Sequence, residues 1–512
     1  MRAVVLPGLI ALLAIALVGC SNSGNSSSTT PSNTISAGKN CDLSYTLTQS
    51  AVLTGPDPLL GDQWHLTNTG QNGGTPGEDL RAAGAWPVTR GSGIRVAVID
   101  DAVEVTHPDL SPNLVEGASR SYRNGNRGSV WPVPCTKAED DHGTAVAGLV
   151  LARDGNAIGV VGVASRASLV AYDALSTSYD IDIADALTRD SQLNSVYQNS
   201  WGSPDDGHLH TADTAFNAAI TSGLVTGRQG KGSVYVFAGG NGGCYLIDSA
   251  TQKCQVDNSN FDGYVNQRGI VTVCAVDNKG VSPWYAEPGA TLTVCAPSSG
   301  SSPVGVTTTA LSGTYESTFS GTSASTPMVS GVIALMLSAN PALTWRDVRI
   351  ILARSARRND PTDTGWLPAA GGLQFNHKYG FGVANAQAAV ALASTWSSVG
   401  GSANMKTCDS PLRTPNLPLP DAGAVGKSTS VSDSLSIVGC DISSIEFVEI
   451  FFTASHTYSG DLKVTVTSPA AAVSQLANAR ICKAAAMPAG PTATGDLARC
   501  GIWAKRPTAT GP

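Results

Sequence analysis

Short runs rich in Val and Ile recur between residues 90 and 300, each bounded by Gly, Asp, Asn or Ser. GIRVAVID at 93–100, ASLVAYDAL at 167–175, SVYQNSW at 195–201, GSVYVFAGG at 232–240, GIVTVCAVD at 269–277 and ATLTVCAPS at 290–298 have the length and β-branched content of strands. Stretches of helical composition alternate with them: GTAVAGLVLA at 143–152, DIADALTRDS at 182–191 and TADTAFNAAITSGLV at 211–225. Two more follow, SASTPMVSGVIALMLSA at 323–339 and TWRDVRIILARSA at 344–356, the second with Thr344 placed as its cap. Strands alternating with helices predict an α/β fold with a largely parallel sheet, and in such sheets functional residues gather at the carboxyl ends of the strands.

The pattern changes near residue 400. WSSVGGSAN at 396–404 reads as a linker, and SIEFVEIFFTASHTYSGDLKVTVTSPAAAVSQL at 444–476 alternates like antiparallel strands. A second, all-β domain is expected from about Met405, over 405–495, with the anomalous tail 496–512 behind it.

Composition adds limits rather than an answer. The apolar share of 42% suits a globular core, and a net charge of −7 gives no support to nucleic-acid binding. Residues 1–20 read as a signal peptide: Arg2, then an apolar stretch too short for a comfortable membrane span, ending in LVGC. That ending resembles a bacterial lipobox, which implies cleavage before Cys20 and a membrane anchor on its thiol; an ordinary signal peptide with an incidental Cys is the alternative. Residues 21–49 then serve as a flexible Ser/Thr/Asn tether. Ser21 is not the Asp that often retains lipoproteins at the inner membrane, which favours the outer one. Export leaves ten cysteines besides Cys20, an even set that suggests disulfides, with Cys244–Cys254, Cys274–Cys295 and Cys408–Cys440 as candidate pairs.

Three segments carry candidate chemistry. Asp100 closes the first strand, His142 in EDDHGTAVAG precedes a helix, and Ser323 lies in SGTSASTP at the mouth of the long apolar helix. An Asp, a His and a Ser in that chain order form one of the known arrangements of a nucleophile, a general base and the carboxylate that orients the base. Asn241 in AGGNGG supplies an amide for an oxyanion. Each piece alone is an ordinary turn or cap; all four in order, each in its structural setting, are not.

With DQWHLTNTGQ, DDHGT, SWGSPDDG, FDGYVN, PWYAEPGA, SGTSASTP and LTWRDVR, residues 57–400 resemble the subtilase superfamily and, within it, the kexin/furin-like proprotein convertases. HTYSGDLKVTVTSP is similar to that family's P domain. The resemblance implies a subtilisin-like parallel sheet flanked by helices over 50–400, then an incomplete, jelly-roll-like P domain. It also implies a serine endopeptidase that cuts protein or peptide substrates after basic, preferably dibasic, residues. Asp205 and Asp262 match the pocket for the residue before the cut, and Asp101 and Glu139 the acidic positions for the residue preceding it. Where furin-like members carry carboxylates for a more distant arginine, Thr188 and Thr211 stand instead, so little preference is expected there. Ala102 departs from the family's usual Gly. Calcium is implied at two places: Asp57, Asp109 and Asn156 with carbonyls near Arg153, Ile158 and Val160, and Asp205, Asp257 and Glu287 beneath the pocket. The rival readings are a subtilase of broad specificity and a non-catalytic surface adhesin on the same fold.

Two expectations concern folding and the tail. The stretch between Cys20 and Asp57 is too short and polar for a folding prodomain, so a separate folding helper or the β domain is expected to assist. Beyond SQLANAR the P-domain pattern stops. Back-translated and read in a shifted frame, Ala498 to Gly511 can spell AVRHLGEAADGNW, which suggests a frameshift, a truncated β domain and a tail without strands.

Overall fold

The apolar runs become strands where the sequence places them. The computed structural model describes residues 54–123, 131–135, 140–177, 179–248, 252–300, 304–419 and 430–452, then 454, 459–469, 471–480 and 504–507. The signal peptide with Cys20, the tether, Cys41, Glu139, Cys482 and Cys500 lie outside these residues.

In chain order the elements begin α1 (Ala82–Ala85), β1 (Arg95–Ile99), α2 (His142–Leu151), β2 (Ser168–Tyr172), α3 (Asp180–Thr188), β3 (Asn194–Asn199), α4 (Thr214–Thr226) and β4 (Val234–Ala238). They continue with β5 (Leu246–Ile247), β6 (Cys254–Gln255), β7 (Ile270–Val276), β8 (Leu292–Pro297), β9 (Val306–Ala310) and β10 (Thr314–Phe319). Next come α5 (Thr322–Ala339), α6 (Trp345–Ser355), β11 (Leu367–Pro368), β12 (Gln374–Phe375) and α7 (Ala386–Thr395). The last are β13 (Phe447–Ile450), β14 (Val464–Thr467), β15 (Val473–Ala477) and β16 (Ala504–Pro507).

Six strands form one sheet in the order β2-β1-β3-β4-β7-β8, and every neighbouring pair is parallel. β4 and β7 are buried at every position, as strands covered on both faces should be. α5 packs across β3, β4, β7 and β8 and against α2 and α7. It is long and apolar enough to cross a membrane, but it is mostly buried inside the fold, which accounts for its composition. Thr344 caps α6 as expected, and Asp347 returns the bond to the Thr344 amide in a capping box.

Chain order and sheet order reverse between β1 and β3. β2 is laid down on one side of β1, and β3, β4, β7 and β8 on the other. A crevice opens at the carboxyl ends of strands at such a switch point. Asp100 directly follows β1 there, and Ser200 directly follows β3.

The β9–β10 hairpin and α7 were not expected from the sequence. VTTTA and TYESTF contain too few aliphatic residues to stand out as strands. β9 is fixed by hydroxyls instead, Thr308 and Thr309 donating to the carbonyls of Ala145 and Thr144 in α2 at 2.7 Å each.

Beyond Thr395 the described residues contain no α-helix. Two antiparallel pairs appear, β14 with β15 and β13 with β16. Ala504–Pro507, expected to lack strand structure, therefore pairs along Phe447–Ile450. Backbone amides and carbonyls facing an existing strand can complete a ladder without side-chain alternation. All three candidate disulfides are present: Cys244–Cys254, Cys274–Cys295 and Cys408–Cys440. Cys135 is disulfide-bonded too.

Candidate active site

β1 delivers Asp100 and the start of α2 delivers His142. His142 Nδ1 and Asp100 Oδ1 are 2.8 Å apart, and the same oxygen accepts the Asp101 N–H at 2.9 Å. Asp100 is 2% exposed, so its charge acts on the imidazole with little solvent between them. Burial alone would lower the His142 pKa, but the charge and hydrogen bond of Asp100 outweigh it and raise the value to about 9.

Ser323 is the second residue of α5, in the first turn, where amides have no partner within the helix. Gly321 precedes that helix at φ 78°, a backbone setting that a side chain would strain. The Ser323 hydroxyl donates to the Ser200 carbonyl at 3.2 Å rather than to His142, and the Ser200 hydroxyl donates to the Ser323 carbonyl at 2.9 Å. The expected bond from nucleophile to base is thus not formed in this state; such bonds commonly tighten only around a substrate.

Asn241 follows β4 through two glycines. Its Oδ1 accepts both the N–H and the hydroxyl of Thr322, at 2.9 and 3.0 Å. With the oxygen committed to Thr322, the side-chain NH2 is left as the free donor beside Ser323, and together with first-turn amides of α5 it can hold an oxyanion.

One cleft runs from Ser323 and Asn241 past Gly202 and Asp205 to Asp262 and Glu287. Asp262 is fixed by three donors: the Ser203 amide and hydroxyl at 3.0 and 2.9 Å, and the Tyr264 amide at 2.7 Å. Burial raises its pKa, and those bonds counter part of the rise. A Cβ on Gly202 would stand 2.6 Å from Asp262 Oδ2, so the glycine keeps the approach to that carboxylate open.

Asp205, Asp257 and Glu287 converge on one wall of the cleft. A Cβ on Gly242 would come within 2.8 Å of Asp257 Cβ, 2.8 Å of Glu287 Oε1 and 2.9 Å of Asp205 Cβ. Burial raises the Glu287 carboxyl well above the usual range, and the charges of Asp257 and Asp205 raise it further. Burial first, then the charges of Asp205 and Asp206, push Asp257 up to about 6. Among the described residues no group of three or more His, Cys, Asp or Glu already forms a metal cage. Three crowded oxygen donors whose charges repel nevertheless fit a hard divalent cation, which would relieve that repulsion.

Asp57, Asp109 and Asn156 also meet. Asn156 Nδ2 donates to Asp109 Oδ1 at 2.7 Å, and the Gly155 and Asn156 amides donate to Asp57 at 2.8 and 3.2 Å. Burial pushes Asp109 up to about 6, with a smaller push from Asp57. Calcium takes oxygen donors, which the two carboxylates and the Asn156 side-chain carbonyl can supply, although here Asn156 turns its nitrogen to Asp109.

Asp101 is engaged differently from expectation. Its Oδ1 accepts from the amides of Ala102 and Gly143 at 2.6 and 2.9 Å, and its Oδ2 from that of His142 at 3.2 Å. It thus caps α2 from the end of β1, a task Asp141 at the N-cap position does not perform. Burial and the charge of Asp100 raise it to about 7. Ala102 is fully buried without a positive φ, so its methyl group is accommodated. Thr188 bonds back to Ala184 in its own helix, and Thr211 is exposed; neither lines the cleft.

His208 and His210 were not expected as site residues. Both line the cleft, and both meet Asp206 Oδ1, at 3.1 and 2.9 Å. The alternation in GHLHT is the signal that was available: in extended chain it places two imidazoles on one side.

A hydrolase-type constellation at the carboxyl ends of a parallel sheet defines the class. A model of the Subtilase family matches residues 91–382, more than half of the chain, and the chain belongs to that family. It is 34% identical over 433 residues to neuroendocrine convertase 2 of Bos taurus, covering 81% of this chain and 64% of that protein. Protease KEX1 of Kluyveromyces lactis is 33% identical over 435 residues, covering 83% of this chain and 53% of that protein. The chain thus spans between half and two thirds of the length of these relatives. The crystal structure of a serine protease of Aeromonas sobria matches with a TM-score of 0.70 at 26% identity, covering 86% of this chain and 84% of that one. That protease in complex with its chaperone matches at 0.69 and 25% identity, covering 84% and 81%. The fold is subtilisin-like, with an all-β C-terminal region.

Proposed function

We propose that the chain is a serine endopeptidase that cleaves peptide bonds after basic, preferably dibasic, residues. Ser323 attacks the carbonyl, His142 takes the proton and returns it to the leaving amine, and Asp100 holds the imidazole and stabilises its charged form. Asn241 donates to the oxyanion. Asp262 and Asp205 receive the cation of the residue before the cut; a guanidinium suits such carboxylates through paired hydrogen bonds. Asp101 and Glu139 add negative charge for the residue preceding it. The observation that carries the reading is the single cleft joining Ser323 and Asn241 to Asp262 and Asp205.

Calcium belongs to the same reading. Asp205, Asp257 and Glu287 would hold one ion, and Asp57, Asp109 and Asn156 another; when bound, the ion supplies charge neutralisation and rigidity, no step of the chemistry. The C-terminal β region is read as a P domain. Three intact disulfides suit an oxidising compartment, the cell envelope or beyond, and the lipid on Cys20 would anchor the chain to a membrane there. A folding helper is in keeping with the Aeromonas sobria protease, which is known in complex with a chaperone.

A panel of peptides that differ only in Arg, Lys or Leu before the scissile bond tests the specificity. The Arg and Lys peptides should be cut far faster, and Asp262→Ala should erase most of that difference. Equal turnover on all three would favour the broad-specificity rival. Repeating the panel after exhaustive chelation tests the calcium: unchanged activity and melting temperature would remove it from the account.

A further inference from the structure

The C-terminal β region packs against the segments that wall the acidic cleft, although none of its residues lines it. β15 ends at Ala477, and the residues after it run along the segments that carry Asp257 and Asp262. Asn478 makes two bonds there: its Oδ1 accepts from Asn258 Nδ2 at 2.8 Å, and its Nδ2 donates to the Val256 carbonyl at 3.0 Å. Ala477 packs on Phe261 and Leu476 on Ala290.

Arg480 reaches furthest in and is only 4% exposed. Its backbone N–H is held by the Gly460 carbonyl at 2.7 Å. The guanidinium lies over the Phe261 ring, 3.7 Å from the centroid, and Nε donates to the Gly207 carbonyl at 2.5 Å. Gly207 in turn donates its N–H to Asp257 at 2.8 Å. Two hydrogen bonds therefore connect a cation of the β region to the carboxylate cluster. Phe261 immediately precedes Asp262, and Gly207 follows Asp205 and Asp206. Burying a guanidinium costs free energy, and burial draws this one down to about 10 against the pull of Asp257. A cation buried at that cost, between the two segments that aim the substrate carboxylates, is placed to hold both.

We propose that Arg480 is a positioning residue for the basic-residue pocket: docked from the β region, it fixes the 205–208 turn and Phe261 so that Asp205 and Asp262 face the incoming cation. The proposal rests on the reading of that pocket given above. Two effects of Arg480 oppose each other. Its charge repels a basic substrate, while its bonds orient the groups that attract one. The stacked, hydrogen-bonded geometry makes orientation the larger effect, so removing Arg480 weakens binding of a basic substrate.

The test uses the full chain with Arg480→Gln and Arg480→Lys, a peptide pair with Arg or Leu before the cut, and the rate of labelling by a small fluorophosphonate. Arg480→Gln should raise KM for the Arg peptide about tenfold, a coupling ordinary for groups sharing one network. The kcat, the Leu peptide and the labelling rate should each stay within about twofold. Arg480→Lys keeps the charge but not the planar stack, and should recover part of the lost affinity. An unchanged or lowered KM for the Arg peptide overturns the proposal. So does an equal loss on both peptides and in labelling, which marks a merely structural role. If Arg480→Gln does not fold, Arg480→Lys decides: a KM rise of about two- to fivefold confined to the Arg peptide supports the proposal, and no rise overturns it. The wild-type arm separates the two claims. No preference for Arg in the wild type sinks the pocket reading itself, whereas a preference that both substitutions leave undiminished sinks only the role of Arg480.

Discussion

The parallel sheet and the C-terminal β region solve the same problem, burying strands, to very different degrees. Every residue of β4 and β7 is buried, whereas β13 is half-buried throughout and β14 alternates half-buried with exposed. Leu476 and Ala477 are the buried apolar residues of the β region among those described, and both pack on the catalytic body. Leu412, Val438 and Phe451 stand 91, 87 and 72% exposed. Polar links add to the junction: Arg268 meets Glu449 at 3.1 Å, Arg346 is paired with Glu446, and the Gln475 amide donates to His377 at 2.9 Å. The body carries its own core; the β region leans on the body. Chemistry should therefore fail through changes in the body, and stability should be far less sensitive to changes in the β region.

The largest effect should come from Ser323→Ala. Turnover on an Arg peptide should drop by at least ~10⁴, because binding and the oxyanion donors leave only residual rate without a nucleophile. The melting temperature should hardly move. Activity above a few per cent of wild type would take the chemistry away from this helix.

Next comes a matched pair of core truncations. Phe237 is fully buried against Trp201 and Phe216, and Phe237→Ala should cost about 3–5 kcal/mol in denaturant unfolding. Phe447 is half-buried beneath the Arg349 guanidinium, and Phe447→Ala should cost about 1–2 kcal/mol. Equal costs would break the contrast between the two regions.

The smallest expected effect is that of pH. His142 must be neutral to accept a proton, and Asp100 holds its pKa near 9, so kcat/KM should rise at least about tenfold from pH 7 to 9. The sign for stability is opposite. A histidine raised from 6.5 to about 9 on folding stabilises the protein fully below pH 6.5 and loses that contribution as pH climbs through 9. Phe447→Ala should leave the activity profile unchanged, since the β region adds nothing to the Asp100–His142 pair. A plateau already reached at pH 6 would contradict this.

The sheet was legible because strands buried on both faces must be continuous apolar runs, and VYVFA and IVTVCAV can hardly be anything else. Asp100, His142, Asn241 and Ser323 were legible because each sits where an element begins or ends, next to glycines and small residues. The β9–β10 hairpin was not, since hydroxyl bonds to α2 replace the aliphatic signal. Asp101 was assigned to the substrate through the family resemblance alone, and its three amide bonds were not legible because they depend on how α2 meets β1. His208, His210 and Arg480 were missed for a related reason. Their partners are Asp206, Gly207 and Phe261, and the approach of residue 480 to residue 207 exists only once the β region has docked.

The most direct test is the mass-spectrometric location of a fluorophosphonate adduct on the full-length protein at pH 8. The account predicts one adduct, on the peptide containing Ser323, blocked beforehand by an arginine-ended peptide ketone and absent from Ser323→Ala. Labelling at another serine, or none on a folded wild-type protein, would contradict it.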